Sequence, residues 1–475
     1  MITKGPKHWP HQIDALKAIH SRRGSLLWVP MGGGKSRIVV DYIQNVPAVK
    51  SPLPLVIIVS PLKAAENVWS WEFSKYWAGE ENSIEIVDLY SGRLEVRAQR
   101  LLDALARQAH LYKCGKTVPT LVASTNYDGA RQGELAKVLL ASQADLHVYD
   151  ECHKLKAPGG DTSIFACKFS KKTPRIIAMS GTPMSQGPQD IYAQMRVISP
   201  GLFGWKYAAF KDRYCIMGGY LNKQIKDYQN MEEFTEKLNT VTFRIGEEEV
   251  ERHLPPFQDE QIRVKLPPKL MAKYKEFEEE LTIDLESGAS LTAPNTLVKL
   301  LRCQQLAGGF IQTDQGDMVQ VHTEKFDAVT ELLDGIDSKE RITIFCNFTA
   351  EIKELAHLCT SKWKRPVCFL VGGKNDLPKW KITPGAVLFV QIAAGAEAVD
   401  FTEARYQFYF SQCYNWSMYT QSRKRIRRPG QTRPVIYYHI MASGTVDLDV
   451  YKALSKKESV INTIKVGITD RRRES

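Results

Sequence analysis

The stretch Pro30-Met31-Gly32-Gly33-Gly34-Lys35-Ser36 decides the fold of this chain. It directly follows the apolar run Ser25–Val29, which predicts a short buried strand, and it precedes Arg37–Ile43, which can continue as a helix. A glycine turn between a strand and a helix is the context that a phosphate-binding loop requires. Glycines let backbone N–H groups and the helix N-terminus approach an anion closely. The stretch therefore predicts a nucleotide-binding loop in an α/β domain.

The residue types in this stretch predict separate tasks at a bound nucleotide. Lys35 is expected to reach the β- and γ-phosphates, and the Ser36 hydroxyl is expected to bind Mg²⁺. The strict pattern has a further glycine where this chain has Val29. A flexible turn beside a surface lysine is the alternative interpretation of the stretch taken alone. The residues predicted to contact the nucleotide are Met31, Gly32, Gly33, Gly34, Lys35, Ser36 and Arg37.

A glutamine precedes this loop in the chain. Gln12 stands at the start of the apolar pattern Ile13–Ile19, whose spacing predicts an amphipathic helix. Its amide offers a donor and an acceptor together, so it can recognise the edge of an adenine ring. Without the loop, the same residue would be an ordinary helix-start glutamine.

Composition limits the classes of protein to consider. The 475 residues are too many for one ordinary core and predict two or three domains. Lys and Arg number 64 against 53 Asp and Glu, and this net charge of +11 favours a polyanionic partner. The sequence has no transmembrane-length apolar run and no signal-peptide core. The nine cysteines form no C-x-x-C pair, which argues against a zinc site and favours a reducing cytosol.

Strand patterns recur along the first part of the chain. Apolar runs separated by helical patterns predict further strands at 53–60, 84–90, 120–125, 144–149 and 175–180. This alternation is typical of a parallel sheet covered by helices on both faces. We therefore predict a first α/β domain at residues 1–200.

Polar residues follow two of these predicted strands. Asp150 is expected to hold Mg²⁺ through water, and Glu151 is expected to orient and polarise an attacking water. A solvated acidic turn is the alternative, but the phosphate-binding loop earlier in the chain favours the catalytic interpretation. Ser180 and Thr182 follow the strand at 175–180 and are candidates for sensing the γ-phosphate.

The chain changes character after residue 200. Residues 201–295 mix aromatic and charged side chains with few strand patterns, which indicates a helical insertion and a linker whose flexible joint is at 287–295. A second α/β domain is predicted at 296–460, followed by a tail at 461–475. Its predicted strands are 341–346, 366–371, 386–391, 406–410 and 434–440.

The most charged stretch is Gln421–Gln431. Gln421, Arg425, Arg428 and Gln431 recur at spacings of three or four residues, so a helix would place them near one face. Two arginines presented to a γ-phosphate would act as arginine fingers, because planar guanidinium groups match phosphate oxygens. A nuclear localisation signal or a solvated basic face is the alternative.

Taken together and in this order, these stretches resemble the motifs of superfamily-two helicases, and more narrowly of the Swi/Snf-type DNA translocases. The general motifs match Gln12, Met31-Gly32-x-Gly34-Lys35-Ser36, Asp150-Glu151-x-His153, Ser180-Gly181-Thr182-Pro183 and Gln421-x-x-x-Arg425-x-x-Arg428-x-Gly430-Gln431. The narrower match depends on Ser60-Pro61-Leu62, Trp69, Trp71-Glu72-Phe73, Leu254-Pro255-Pro256, Asn415-Trp416-Ser417 and Arg428-Pro429-Gly430-Gln431. The resemblance covers residues 7–460.

The resemblance implies an α/β fold of two RecA-like parallel-sheet domains in tandem, with helical insertions between them. It also implies an ATP- and Mg²⁺-dependent motor that moves along double-stranded DNA without having to unwind it. The catalytic residues would then be Lys35, Asp150, Glu151, Arg425 and Arg428. Further nucleotide contacts would come from Gly395 and Gln421, and coupling from His153, Ser180 and Thr182. The implied DNA contacts are Lys63, Thr125, Asn347 and Thr349.

One segment departs from the family pattern. Where the family has a glycine-rich segment, this chain has Ala394-Gly395-Ala396-Glu397-Ala398-Val399-Asp400, and Asp400 replaces the usual asparagine. An acidic side chain near DNA or phosphate is expected to weaken either contact.

Three functional hypotheses remain from the sequence. The first is a DNA-stimulated ATPase that translocates on duplex DNA, which Trp69, Trp71 and the Arg-Pro-Gly-Gln ending favour. The second is a strand-separating helicase acting on DNA or RNA, including single strands. The third is a nucleic-acid-binding protein without hydrolysis, against which the complete set of phosphoryl-transfer residues argues. A monomer in the cytoplasm of a bacterial or phage-infected cell is expected.

Overall fold

The computed structural model describes residues 4–5, 7–45, 52–184, 187–218, 224–280, 282–284, 290–292, 296–313, 317–392, 399–412 and 415–455. The chain divides into two units, Met1–His253 and Leu254–Ser475. Each unit is built on its own sheet.

The sheet of the first unit has seven described strands in the order β3-β4-β2-β5-β6-β1-β9, and every neighbouring pair is parallel. All six residues of β2, Leu-Val-Ile-Ile-Val-Ser, are buried, as expected for a strand covered on both faces. A separate antiparallel hairpin joins β7 to β8. The strands are β1 Gly24–Trp28, β2 Leu55–Ser60, β3 Ile84–Asp88, β4 Thr120–Asn126, β5 Leu146–Asp150, β6 Arg175–Ser180, β7 Cys215–Gly218, β8 Gln224–Tyr228 and β9 Thr242–Arg244.

Helices connect these strands and cover the sheet. Apolar side chains of the sheet and of the helices form two buried clusters. The helices are α1 Pro10–His20, α2 Lys35–Asn45, α3 Leu62–Asn67, α4 Trp69–Tyr76, α5 Leu94–Lys113, α6 Tyr127–Ala130, α7 Gly133–Ala141, α8 Asp161–Phe169, α9 Gln189–Ile198, α10 Tyr207–Tyr214, α11 Met231–Val241 and α12 Glu247–Glu251.

Residues 201–253, which the sequence assigns to an insertion, group with the first unit. Their aromatic side chains pack together, with Phe203 and Phe234 stacked at 5.0 Å between ring centroids and Phe210 beside both. Strand β9 then extends the sheet by pairing with β1. The boundary at 200 therefore differs from the division after His253, because buried aromatic packing joins this segment to the first sheet.

The sheet of the second unit also has seven described strands, in the order β10-β20-β19-β15-β18-β16-β17. All neighbours are parallel except β16 and β17. Two short hairpins pair β11 with β12 and β13 with β14. The strands are β10 Phe257–Val264, β11 Thr282–Asp284, β12 Ser290–Thr292, β13 Phe310–Gln312, β14 Met318–Gln320, β15 Ile342–Cys346, β16 Val367–Val371, β17 Lys374–Asn375, β18 Val387–Gln391, β19 Tyr406–Tyr409 and β20 Val435–Ala442.

The described helices of this unit are α13 Pro268–Glu280, α14 Thr296–Gly308, α15 Glu324–Asp334, α16 Thr349–Ser361, α17 Leu377–Ile382 and α18 Trp416–Ile426. Helical structure is also present in residues 446–455. Most of the joint predicted at 287–295 lies outside the described residues, as does the tail at 461–475.

Two predominantly parallel sheets in tandem, each packed with helices, confirm the predicted α/β fold class. Among the described helices, none combines the length and the apolar character needed to cross a bilayer.

Candidate functional site

The predicted nucleotide residues meet at one edge of the first sheet. Strands β5, β6 and β1 are consecutive neighbours, with Asp150 opposite Met179 and Trp28 opposite Ser180 in the parallel register. The acidic pair after β5, Ser180 at the end of β6 and the glycine loop after β1 therefore emerge side by side. Carboxyl ends of parallel strands are where open α/β sheets bind ligands.

The loop after β1 is shaped by its glycines. Gly32 and Gly34 have φ values of +83° and +77°, a left-handed backbone that favours glycine. A Cβ atom on Gly34 would lie 2.3 Å from Gln12 Nε2, and one on Gly33 would lie 2.4 Å from Val29 Cγ1. A side chain at Gly33 would meet Val29, and one at Gly34 would displace the Gln12 amide. The loop backbone thus forms a cradle of the kind that holds phosphates.

Lys35 begins helix α2 directly after this cradle. Its ammonium nitrogen donates to the carbonyl oxygens of Val29 at 3.0 Å and Pro30 at 3.4 Å. The helical ladder starts with the Ile38 amide donating to Gly34 O at 3.0 Å. This geometry places the lysine charge over the loop and the half-buried Ser36 at the helix N-terminus.

Two side chains of helix α1 contact the loop backbone. His11 Nε2 lies 2.8 Å from Gly33 O, and Gln12 Nε2 donates to the same oxygen at 3.5 Å. Burial lowers the pKa of His11, so its ring is neutral at physiological pH and donates from Nε2. Gln12 thus lies against the glycine loop, and its contact with adenine stays a prediction. His11 was missed by the sequence analysis, and its position beside Gln12 was the only available signal.

In the acidic pair, Glu151 has an unusual backbone conformation, and the pKa values of the two carboxyl groups shift in opposite directions. Glu151 has φ 52° and ψ 53°, the left-handed region, at the turn between β5 and a short 3-10 helix. Burial, together with the charge of Glu151, raises the pKa of Asp150. Burial acts on Glu151 in the same direction, but hydrogen bonding to His153 and the charge of Lys35 outweigh it and lower the pKa of Glu151. Glu151 is therefore the carboxylate that stays ionised.

A hydrogen-bond network surrounds Glu151. The buried Ser180 hydroxyl donates to Glu151 Oε2 at 3.0 Å and lies 3.1 Å from His153 Nδ1, which is itself 3.2 Å from Glu151 Oε2. The Thr182 amide donates to Ser180 Oγ at 3.1 Å. The loop after β6 is also close to the glycine loop, since a Cβ atom on Gly181 would lie 3.4 Å from Met31 N. The two segments therefore lie in contact with each other.

The structure places Arg37 away from the loop. It lies on α2, buried, with its guanidinium 5.0 Å from the centre of the Tyr76 ring and Nε 3.5 Å from Asp41 Oδ2. The same carboxylate contacts His8 Nε2 at 2.6 Å. The side chain of Arg37 therefore belongs to a buried cluster behind the helix start.

The predicted arginines lie in the second unit and are not on one helical face. Helix α18 carries Gln421 and Arg425 and ends at Ile426, so Arg428 follows the helix. Arg428 Nη1 donates to Val399 O at 3.2 Å, and the amide of Phe401 donates to Arg425 O at 2.9 Å. Residue Arg428 precedes Pro429, which disfavours helical backbone there and explains the early end.

Gln431 bonds to the backbone of a neighbouring segment of its own unit. It is buried, and its amide donates to the carbonyl oxygens of Thr402 at 3.0 Å and Ala404 at 2.5 Å. Burial of Asp400 opposes ionisation, yet the charges of Arg428 and Lys381 and hydrogen bonding to Thr402 together outweigh it and lower the pKa of Asp400. Gly395, Ala396, Glu397 and Ala398 lie outside the described residues.

The residues proposed to contact DNA have different exposures. Lys63 is exposed and lies 3.0 Å from Glu66, and Thr349 is exposed at the start of α16. Asn347 is half-buried and its amide donates to Gln412 O at 2.7 Å. Thr125 is fully buried within β4 and donates to Leu89 O at 3.3 Å. Because its hydroxyl lies inside the unit, Thr125 offers no surface to a phosphate.

A glycine-cradled lysine, an adjacent serine and a carboxylate pair at the same sheet edge form an arrangement typical of the nucleotide site of P-loop ATPases. Residues 11–333 match the profile of the SNF2-related domain. The chain therefore belongs to the SNF2-related domain family. This membership confirms the predicted family and the predicted enzyme class, a helicase-type ATPase.

Known relatives extend along the whole chain at low identity. A "DNA repair and recombination protein RAD54-like" of Drosophila persimilis is 22% identical over 96% of this chain, which spans 63% of that relative. "Putative protein p41" of Acyrthosiphon pisum secondary endosymbiont phage 1 is 23% identical over 97% of this chain and 98% of its own length. Among solved structures, the Sulfolobus solfataricus SWI2/SNF2 ATPase core in complex with dsDNA aligns with 96% of this chain and 92% of its own, at 20% identity and a TM-score of 0.45.

Proposed function

We propose that this protein hydrolyses ATP and uses the reaction to move along double-stranded DNA. The observation that carries the proposal is the hydrogen-bonded carboxylate of Glu151 at the same sheet edge as the glycine cradle and Lys35. A protein that only bound nucleotide would have no need of an ionised carboxylate held by Ser180 and His153.

The residues of this edge fit ATP and Mg²⁺. Because the glycines carry no Cβ atom, the loop backbone can offer its N–H groups to the phosphates. Lys35 supplies a positive charge beside them. Ser36 and Asp150 would hold Mg²⁺, an ion that favours a few protein oxygens together with phosphate and water. ATP supplies the phosphoryl bond whose hydrolysis releases energy. A bound dication would also offset the burial that raises the pKa of Asp150.

Glu151 is suited to orient and polarise a water molecule. Its lowered pKa keeps it ionised at neutral pH, so it can accept a hydrogen bond from that water. Ser180, His153 and Thr182 form the chain of contacts by which occupancy of the phosphate position would change the segment after β6. We assign coupling to these three residues.

The second unit would contribute cations. Arg425 and Arg428 are proposed to stabilise the charge that develops on the transferred phosphoryl group, with Gln421 and Gly395 as further nucleotide contacts. The net charge of +11 favours DNA as the polyanion, and the matched relative is named for DNA repair and recombination. Lys63, Asn347 and Thr349 remain the proposed contacts to the DNA backbone.

The proposal is tested by steady-state ATP hydrolysis with duplex DNA, single-stranded DNA, RNA and no nucleic acid, at one fixed salt concentration. We expect duplex DNA to stimulate hydrolysis most strongly and Glu151→Gln to abolish the stimulated rate. Displacement of the third strand of a triplex would then report movement. Stimulation by single strands or RNA alone would favour a strand-separating helicase, and no hydrolysis would overturn the proposal.

The expected setting draws on the similarity to a phage protein. That similarity covers 98% of the phage protein and supports a place in a bacterial or phage-infected cell. A monomer in the cytoplasm is part of the same proposal. Gel filtration with light scattering tests the oligomeric state.

A further inference from the structure

A group of cations lies at the amino-terminal edge of the first sheet. Strands β1 and β6 begin there side by side, with Gly24 opposite Ile176. The nucleotide loop follows the other end of β1, about 17 Å away for five residues at about 3.3 Å each. An open pocket of about 580 Å³ occurs at this edge, and we call it the basic pocket. It is lined by Ser21, Arg22, Arg23, Lys171, Lys172, Thr173, Pro174 and Arg175.

Two of its arginines hold the pocket in shape. Arg23 Nη2 donates to three carbonyl oxygens of the turn before β6, those of Ser170 at 3.3 Å, Lys171 at 3.1 Å and Thr173 at 3.2 Å. Arg175 Nη1 donates in the opposite direction, to the carbonyl oxygens of His20 at 2.6 Å and Arg22 at 3.1 Å. These reciprocal bonds fix the two turns against each other, so the pocket is built before any ligand arrives.

The other three cations face the pocket without such bonds. Lys171 and Lys172 are exposed on the short 3-10 helix Ser170–Lys172. Arg22 is half-buried, and its Nη1 atom is shielded from solvent without a hydrogen-bond partner among the described residues. A shielded donor of this kind needs an acceptor.

The charge of the pocket is unbalanced. Of the described residues that line it, five are Arg or Lys and none is Asp or Glu. Like charges gathered this closely repel one another, and a bound anion removes that repulsion. The pocket is also open at the surface, which suits a polymer that passes over it better than an enclosed small molecule.

We propose that the basic pocket binds backbone phosphates of duplex DNA, as a contact separate from the edge that holds the nucleotide. The guanidinium of Arg22 and the ammonium groups of Lys171 and Lys172 supply the charge-assisted hydrogen bonds. This inference rests on the proposed function, because it takes duplex DNA as the partner. Such a contact would hold the first unit on the duplex independently of the nucleotide state.

The test compares two double variants that remove the same charge. Lys171→Ala/Lys172→Ala removes the two exposed lysines of the pocket, and Lys206→Ala/Lys226→Ala removes two exposed lysines elsewhere in the same unit. Binding of a fluorescent duplex is measured between about 50 and about 200 mM salt. We expect the pocket variant to bind roughly tenfold more weakly, with a salt slope lower by about 2. The control stays within about twofold, and hydrolysis without DNA is unchanged in both.

Several results would overturn the inference. Equal losses in both double variants would show a general effect of charge, and unchanged duplex affinity in the pocket variant would show that the pocket does not bind the backbone. If titration with inorganic phosphate gave a heat signal that the pocket variant lost while duplex binding stayed intact, the pocket would be a small-anion site. A wild-type protein that binds no duplex would instead refute the proposed function itself.

Discussion

The Ser180 hydroxyl lies 3.0 Å from Glu151 Oε2, so the last residue of β6 holds the carboxylate that follows β5. The two strands are direct neighbours in the sheet. Hydrogen bonding to His153, the charge of Lys35 and this hydrogen bond together favour the ionised form of Glu151 and outweigh the effect of burial on its pKa. The neighbouring strand thus contributes to the acidity of this carboxylate.

Replacing Glu151 by Gln should remove ATP hydrolysis while leaving ATP binding. The amide keeps the size of the side chain but cannot polarise water, and loss of a general base typically lowers a rate by about 10²- to 10⁴-fold. Release of phosphate and binding of a fluorescent ATP analogue measure the two properties separately. A rate within about tenfold of wild type would mean that another group activates the water.

Replacing Ser180 by Ala should move the acid limb of the pH–rate profile upward. The change removes a donor that stabilises ionised Glu151, so the pKa of that carboxyl rises and activity is lost at a higher pH as the solution is acidified. We expect the loss to grow as the pH falls below about 5 and to be smallest at pH 8, because Glu151 is ionised at pH 8 in both proteins. An equal loss at acidic and at neutral pH would assign Ser180 a purely structural role.

Replacing Gly34 by Ala should weaken nucleotide binding by at least about tenfold. Its backbone is left-handed, and the new Cβ would lie 2.3 Å from Gln12 Nε2. Gly115→Ala is the matched control, because Gly115 has φ +66° but has nothing within 4 Å of a built Cβ. Both variants carry the backbone cost of roughly 1 kcal/mol, and only Gly34→Ala should change ATP affinity. Equal ATP affinity in the two variants would contradict the assignment of this glycine loop to phosphate binding.

Glu351 should make the second unit less stable as pH rises. It is buried at the start of α16, burial raises its pKa from 4.5 to about 7, and the Ser411 hydroxyl donates to it at 2.6 Å. Between these values the folded chain holds a proton that the unfolded chain has lost, so the free energy of unfolding falls with increasing pH.

The Glu351→Gln variant has no titratable group at this position, so its free energy of unfolding should not show this decrease with pH. Relative to the variant, the wild type should lose at most about 3 kcal/mol from about pH 5 to about pH 8. Urea unfolding of both proteins across that range measures the difference. Parallel curves would show that the carboxyl titrates normally.

Replacing Asp400 by Asn should raise DNA-stimulated hydrolysis by about two- to fivefold. The carboxylate attracts Arg428, as its lowered pKa indicates, and so competes with phosphate oxygens for that guanidinium. The same change in an Arg428→Ala background should have no effect, which isolates the pair. An equal increase in both backgrounds would show that Asp400 does not act through Arg428.

The parts of the fold that local sequence determines could be predicted. The apolar strands that alternate with helices, the glycine loop and the acidic pair appear where their patterns indicate, because burial on both faces requires continuous apolar runs. Strand β10 could not be predicted in this way. Its first three residues are exposed and the rest of Phe257–Val264 alternates partly buried with exposed residues, so its place is set by pairing with β20, far along the chain.

Side-chain roles were harder to predict than positions. The family resemblance implies that Thr125 contacts DNA, yet its hydroxyl lies inside the unit and donates to Leu89 O. Arg37 follows the loop, yet its partners are Asp41 and Tyr76. Which face of a helix or strand packs inward depends on the neighbours it meets, and single-chain spacing does not contain that information.

Glu151 occupies a backbone conformation that glycine adopts without penalty. A glycine there would relieve roughly 1 kcal/mol of strain and at the same time delete the carboxylate. Selection of a variant library for thermal stability alone would therefore enrich Glu151→Gly, and the most stable variants would lack ATPase activity. Directed evolution of a more stable protein requires a screen for ATP hydrolysis in every round.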